Sequence, residues 1–305
     1  MSWTAESVPD QSGRTAVVTG ANTGIGYCTA RELARRGARV TLACRDAERA
    51  TAALKRLQAE VPNAQAVFRP LDLADLGSVR AFAEAYEEPS LDLLVNNAGV
   101  MALPYGLTYD GFEKQFGVNH LGHFALTGLL LPRLREADRG ARIVVVSSVA
   151  HVLAGVRLGD LNATRGYRRW TAYGQSKSAN LLFVHELSRR LAAAGSGIVA
   201  AAAHPGYAAT DLHTRGALME GRRGVERVYV FGNRLLAQSA ERGALPTLYA
   251  ATAPGVAPDS FTGPRAPGLR GAPARAWRLP RTRDDVTGEL LWEASERLTG
   301  VTYAL

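Results

Sequence analysis

Only two cysteines, Cys28 and Cys44, occur in 305 residues. That excludes a disulfide framework and a zinc site built from cysteine alone, and it fits a reducing compartment. No apolar run approaches the roughly 18 residues that a bilayer span requires. The first residues, Met1-Ser2-Trp3-Thr4-Ala5-Glu6-Ser7, lack both a basic n-region and an apolar h-region. No signal peptide is expected, and the expected location is cytoplasmic. Acid is in short supply relative to base, with 28 Asp and Glu against 36 Lys and Arg, for a formal net charge of +8. Such an excess raises the question of nucleic acid or an anionic surface. However, Arg265, Arg270, Arg275, Arg278, Arg281 and Arg283 fall in one Pro/Gly-rich stretch with no acid among them. The plain reading is a solvated surface loop. No helix-turn-helix, zinc-finger or aromatic-interleaved basic pattern accompanies it, so no nucleic-acid partner is expected.

What remains is an ordinary globular composition, 47% hydrophobic and 21% charged, with chain enough for a sizeable core. Residues 1–12 read as a loose polar arm. Then Arg14-Thr15-Ala16-Val17-Val18-Thr19 forms a short apolar run that ends in Gly20-Ala21-Asn22-Thr23-Gly24-Ile25-Gly26. A helix is expected from Tyr27 to Gly37. Strand, glycine turn and helix in this order suit a dinucleotide: glycine lets the backbone approach a pyrophosphate, and the helix N-terminus offers free N–H groups. The bland alternative is a simple strand-to-helix turn.

A second strand follows, Ala38 to Cys44, and its end bears on cofactor choice. In a dinucleotide fold an acidic residue there accepts from the ribose hydroxyls and repels a 2′-phosphate. Here Cys44 and then Arg45 stand at that place. A guanidinium without the carboxylate favours NADP(H) over NAD(H), unless Arg45 meets only Asp46 or solvent. Asp46 suits the cap of a helix from Ala47 to Ala59. A third strand, Ala66 to Leu71, leads to Asp72-Leu73 at an edge where ligands collect. Asp72 could accept from an adenine amine or simply make a turn. Helix Leu76 to Glu87 and a fourth strand, Leu91 to Val95, lead to Asn96-Asn97-Ala98-Gly99. Alternation of this kind predicts a parallel sheet with helices on both faces.

Farther along, Tyr173 and Lys177 are four residues apart in a helical run, so they share a face. A neighbouring cation is expected to lower a phenol from its usual value of about 10. By itself this spacing is far more often a solvated face than a catalyst.

Taken together, Thr19-Gly20-Ala21-Asn22-Thr23-Gly24-Ile25-Gly26, Asn96-Asn97-Ala98-Gly99 and Tyr173-x3-Lys177 resemble the short-chain dehydrogenase/reductase family. The resemblance covers about residues 13 to 264. Ala43-Cys44-Arg45-Asp46 and Ser147-Ser148-Val149-Ala150-His151 are similar to its retinol-dehydrogenase-like and WW-domain-oxidoreductase-like branch. It implies one Rossmann-type, doubly wound α/β domain with a parallel sheet of about seven strands. Residues 265–305 would add a basic loop and a C-terminal helix, of which Asp284-Asp285 looks like the cap.

The resemblance also implies reversible hydride transfer between an alcohol and a carbonyl on a hydrophobic small molecule. Asn119, Ser148, Tyr173 and Lys177 fall on the catalytic positions. Asn119 would bend a long helix, Gly111 to Leu131, and hold a water linked to Lys177. Ser147 should point away from Ser148 by strand alternation. Cofactor contacts would come from Gly20, Asn22, Thr23, Gly24, Ile25, Gly26, Arg45, Asp72, Leu73, Asn97, Ala98, Gly99, Tyr173, Lys177, Pro205, Gly206 and Thr210. Residues 207–238 would form an apolar-lined substrate lid, and His151 a wall of the site. Family members often assemble through their two long helices, so a homo-oligomer is expected. A metal at His120 and His123 is rejected, because no third ligand has matching spacing. Two alternatives share the fold: an epimerase or dehydratase, and a cofactor-sensing regulatory protein without turnover.

Overall fold

The computed structural model describes residues 2–206, 239–266 and 269–305. Eight strands form one sheet: β1 (Thr15–Thr19), β2 (Arg39–Cys44), β3 (Ala66–Pro70), β4 (Leu93–Asn96), β5 (Arg142–Val146), β6 (Val199–Ala203), β7 (Phe261–Ala266) and β8 (Arg270–Arg275). Their order across the sheet is β3-β2-β1-β4-β5-β6-β7-β8. The first seven run parallel. Parallel strands need crossovers, and helices α1 (Gly24–Arg35), α2 (Ala47–Glu60) and α3 (Leu76–Glu84) supply the first three. The strand order reverses between β1 and β4. There the carboxyl ends of neighbouring strands diverge and leave a crevice.

Central strands are covered on both faces, which explains their unbroken apolar runs. Val17, Val18, Leu93, Leu94, Val95, Val144 and Ala202 are fully buried. The helices between β4 and β6 flank the site. Glu113 accepts from the backbone N–H groups of Gln115 and Phe116 and so starts α4 (Lys114–Phe116). A π-helical turn, Gly117–Leu121, runs directly into α5 (Gly122–Arg135). The helix therefore begins later than Gly111, because Thr108 and Phe112 close a turn instead, with Thr108 N donating to Phe112 O at 2.8 Å. Then α6 (Arg169–Ala193) carries Tyr173 and Lys177. α7 (Ala240–Thr252), with Ser239 as its cap, packs on α1 and the far strands.

Two further expectations need correcting. The basic stretch is not simply a solvated loop: Arg270–Arg275 is β8, antiparallel to β7. Gly271 and Pro273 are poor strand formers, and β8 exists because β7 offers an open edge, where proline is tolerated. Within the same stretch the Arg278 side chain is buried and donates to Asp259. Arg281 donates to the carbonyls of His151 and Val152. The N-terminal arm is not loose either. Val8 and Gln11 are buried, and Trp3 meets Tyr249 edge-on at 5.4 Å.

The last helix, α8 (Asp285–Thr299), is capped by Asp284 and ends at Gly300 in the left-handed region, φ +63°. Its Trp292 and the following Tyr303 pack on Phe124 of α5 and Phe183 of α6. The C-terminal segment thus covers the outer face of the two long helices, where the family resemblance places an oligomer contact.

Candidate active site

The carboxyl ends of β1 and β4 are joined by side chain to backbone. Thr19 Oγ1 accepts from Asn97 N and Ala98 N, both at 2.9 Å, and Asn97 Nδ2 donates to Thr19 O at 2.8 Å. The glycine turn lies against this join. Gly20 takes φ +66°, a conformation that any side chain would strain. Gly26 has no room for a Cβ, which would meet Asn97 Nδ2 and come within 2.5 Å of Gly20 O. Asn22, Thr23, Gly24 and Ile25 stay half-buried at the mouth, with α1 starting at Gly24. Exposed N–H groups at a helix start and a backbone pressed flat by glycine fit a pyrophosphate.

At the end of β2 the Cys44 thiol is buried and faces the backbone N–H groups of Ala21 and Asn22, and burial pushes it up to about 11. Arg45 stands exposed beside it, and its Nε is 4.0 Å from Asp72 Oδ2. Its neighbour is therefore Asp72, and neither Asp46 nor solvent alone. Asp72 also accepts from Ala74 N at 2.9 Å, so it makes a turn. Leu73 is buried, with its carbonyl and Cβ packed close against Gly122 at the head of α5.

The four candidate catalytic residues converge. Ser148 follows β5 and caps a 3-10 turn, Val149–Leu153, accepting from Ala150 N. Ser147 points away, donating to Lys177 O at 2.8 Å, as strand alternation requires. Tyr173 is buried, and the neighbouring Ser148 side chain favours its ionised form. Lys177 Nζ donates to Val146 O at 3.1 Å. Asn119 stands in the π turn, with Nδ2 donating to Val100 O and Ser176 Oγ at 2.9 Å and Oδ1 accepting from Val100 N at 2.8 Å. Gly99 links the two polar groups: a Cβ there would lie 3.1 Å from Asn119 Oδ1 and 3.5 Å from Lys177 Nζ.

The electrostatics correct one expectation. Tyr173 is pushed up to about 12 by burial, and only the neighbouring Ser148 side chain pulls it back. Lys177 is pushed down to about 8, also by burial. Both charged forms lose hydration here, and that outweighs any help the ammonium gives the phenolate.

Around the cluster, His151 is buried and donates Nδ1–H to Ser148 O at 2.8 Å. Gly206 takes φ +68°, and its N–H donates to His204 Nδ1 at 3.1 Å, just after Pro205. Thr210 and the expected lid, 207–238, lie outside the described residues. Among the described residues no three His, Cys, Asp or Glu side chains gather as a metal site. No helix of the described residues is long and apolar enough to cross a membrane.

The family model for short chain dehydrogenases matches residues 14–220. The chain belongs to the short-chain dehydrogenase family. Mouse retinol dehydrogenase 12 is 44% identical over 296 residues, covering 95% of this chain and 88% of that one. This dehydrogenase therefore sits in the retinol-dehydrogenase-like branch and is an oxidoreductase of alcohols and carbonyls. A crystal structure of an uncharacterized Mycobacterium paratuberculosis protein is 46% identical, with a TM-score of 0.83 over all of both chains. Pseudomonas aeruginosa RhlG, solved as an NADP complex, is 27% identical with a TM-score of 0.63, covering 83% of this chain and 94% of that one.

The sequence alone assigns no positioning role to three polar residues beside this site. Thr19 anchors Asn97 and Ala98, Ser176 accepts from Asn119, and His123 joins Thr19 to Asn119. Their only signal was polarity at positions that a core-facing helix or strand would fill with apolar side chains.

Proposed function

We propose that this dehydrogenase reduces carbonyls on hydrophobic small molecules, and oxidises the matching alcohols, with NADP(H) as cofactor and Tyr173 as general acid and base. The observation that carries it is the convergence of the Ser148 side chain and buried Tyr173, backed by Lys177 and Asn119.

The glycine turn from Gly20 to Gly26, with Asn97, Ala98 and Gly99, would hold the pyrophosphate and ribose side of the cofactor. Asp72, Leu73, Pro205, Gly206 and Thr210 would complete its contacts. Arg45 would hold a 2′-phosphate, because its place has a guanidinium and Cys44 where a carboxylate would exclude that group. The bound cofactor supplies the hydride. Ser148 orients the carbonyl oxygen and stabilises its developing charge. Tyr173 gives its proton to that oxygen. Lys177 holds the ribose hydroxyls and, through Asn119, returns a proton to Tyr173.

A phenol held near 12 keeps its proton at neutral pH. That is the form that reduction needs. Apolar side chains stand exposed nearby: Trp170 meets Tyr173 edge-on at 6.2 Å, and Val152 and Leu153 lie on the turn that Ser148 caps. This supports a hydrophobic substrate beneath a lid at 207–238. Two free, buried cysteines support a cytoplasmic placement. The test is NADPH oxidation against a panel of apolar aldehydes and ketones. Turnover of at least one is expected, and none turned over would overturn the reading.

A further inference from the structure

His123 is buried on the first turn of α5 and touches both halves of the site. Its Nδ1 lies 3.1 Å from the carbonyl oxygen of Asn119, four residues back inside the π turn. Its Nε2 lies 2.9 Å from Thr19 Oγ1.

These contacts determine where the protons are. A carbonyl only accepts, so Nδ1 carries the proton and Nε2 is bare. The Thr19 hydroxyl therefore donates to Nε2 at 2.9 Å, with the Val95 carbonyl a second, longer acceptor at 3.4 Å. Its two lone pairs receive Asn97 N and Ala98 N. Thr19 is then fully satisfied, with one bond donated and two accepted. A second proton on His123 would have no acceptor, because it would point at a hydroxyl whose lone pairs are already filled. Burial and the nearby Lys177 ammonium act in the same direction, holding the imidazole down to about 4.

We propose that His123, as the neutral Nδ1–H tautomer, is a positioning residue. It fixes the Asn119 carbonyl of the π turn against the Thr19–Asn97–Ala98 join. A π turn is a local insertion that a helix can relieve by slipping back to regular α geometry. The imidazole spans from the turn to β1 and holds it open. Asn119 Oδ1 and Lys177 Nζ both adjoin Gly99, the residue after Ala98. Loss of the span would let the turn shift relative to Lys177, so proton return to Tyr173 would suffer more than substrate binding. The role rests on the proposed reaction, whereas the bridge itself can be read without turnover.

The test combines kinetics with 15N NMR of histidine-labelled protein. His123→Phe keeps a ring and removes both bonds. His123→Asn keeps a donor near Nδ1, and His123→Gln reaches toward Thr19 but not Asn119. With NADPH and the best-used apolar aldehyde, His123→Phe is expected to lower kcat by about tenfold or more, the worth of one well-placed hydrogen bond, with KM little changed. His123→Asn is expected to recover most of that loss, and His123→Gln is not. The resonances absent from the His123→Phe spectrum should show a protonated Nδ1 and a bare Nε2 that does not titrate near the usual histidine value of about 6.5.

An active wild type whose His123→Phe form keeps its kcat overturns the positioning role alone. So does an Nε2–H tautomer, or a His123 that titrates in the usual range. If His123→Phe fails to fold, the order of His123→Asn and His123→Gln decides, and Gln above Asn overturns it. A wild type that turns over no carbonyl overturns the proposed reaction and the positioning role with it, while the NMR signature still reads the bridge.

Discussion

Lys177 Nζ lies 5.7 Å from the centre of the Tyr173 ring and donates to Val146 O. The two side chains share a helix face as their spacing requires, yet burial moves their titrations apart. Tyr173 stays protonated to about 12, and Lys177 loses its proton near 8. In the free enzyme the lysine is the group that changes charge within an accessible pH range.

The first prediction follows from that order. Reduction needs the phenol protonated and the ammonium charged. Going upward in pH, Lys177 deprotonates first, so kcat/KM for carbonyl reduction should fall above about 8, the value that free-enzyme profiles report. Steady-state NADPH oxidation across the pH range checks it. A profile that stays flat well past that point would show that the ammonium is not required.

Cofactor choice gives the second. Arg45 is exposed, and its ion pair with Asp72 is 4.0 Å long, so its charge is open to a competing anion. Arg45→Ala should weaken NADPH binding by about tenfold or more, as expected for loss of one charge-assisted phosphate contact, and leave NADH nearly unchanged. Titration of cofactor fluorescence measures both. Equal losses for the two cofactors would remove the 2′-phosphate argument.

Much of this site is legible in sequence because the constraints are local. Gly20 needs a positive φ, Gly26 needs the absence of a Cβ, and Tyr173 and Lys177 need one helical turn between them. What sequence hides is set by tertiary distance. Thr19 and His123 are 104 positions apart, so their bond leaves no trace in any window. His123 invites a metal reading or none. The raised Tyr173 depends on how completely α6 and the Val149–Leu153 turn exclude water, which spacing does not encode. β8 is hidden in the sequence because its strand character comes from the open edge of β7 rather than from its own Gly271 and Pro273.

Stability should depend on acid in a defined direction. His120, His123 and His204 are held down by burial to about 3, 4 and 4. Unfolded histidine titrates near 6.5, so above that value folding costs no protons. As pH falls from there toward about 4, the unfolded chain takes up protons that the folded chain refuses, and stability declines. His185 works the other way. Asp259 and Asp285 raise it, so its contribution is present at low pH and is lost as pH rises through its folded value. Burial lowers His151 as well, so four groups outweigh one, and the melting temperature should be lower at about pH 5 than near neutrality. A melting temperature that holds or rises on acidification would contradict the burial of these four rings.

The most direct measurement compares wild type and Tyr173→Phe with NADPH and the best-used apolar carbonyl. Phe keeps the ring and its packing and removes only the hydroxyl beside Ser148. The expected result is retained NADPH binding with kcat reduced by at least about a hundredfold, the usual worth of a general acid. Equal turnover by the two proteins would contradict the assignment of Tyr173 and, with it, the proposed chemistry.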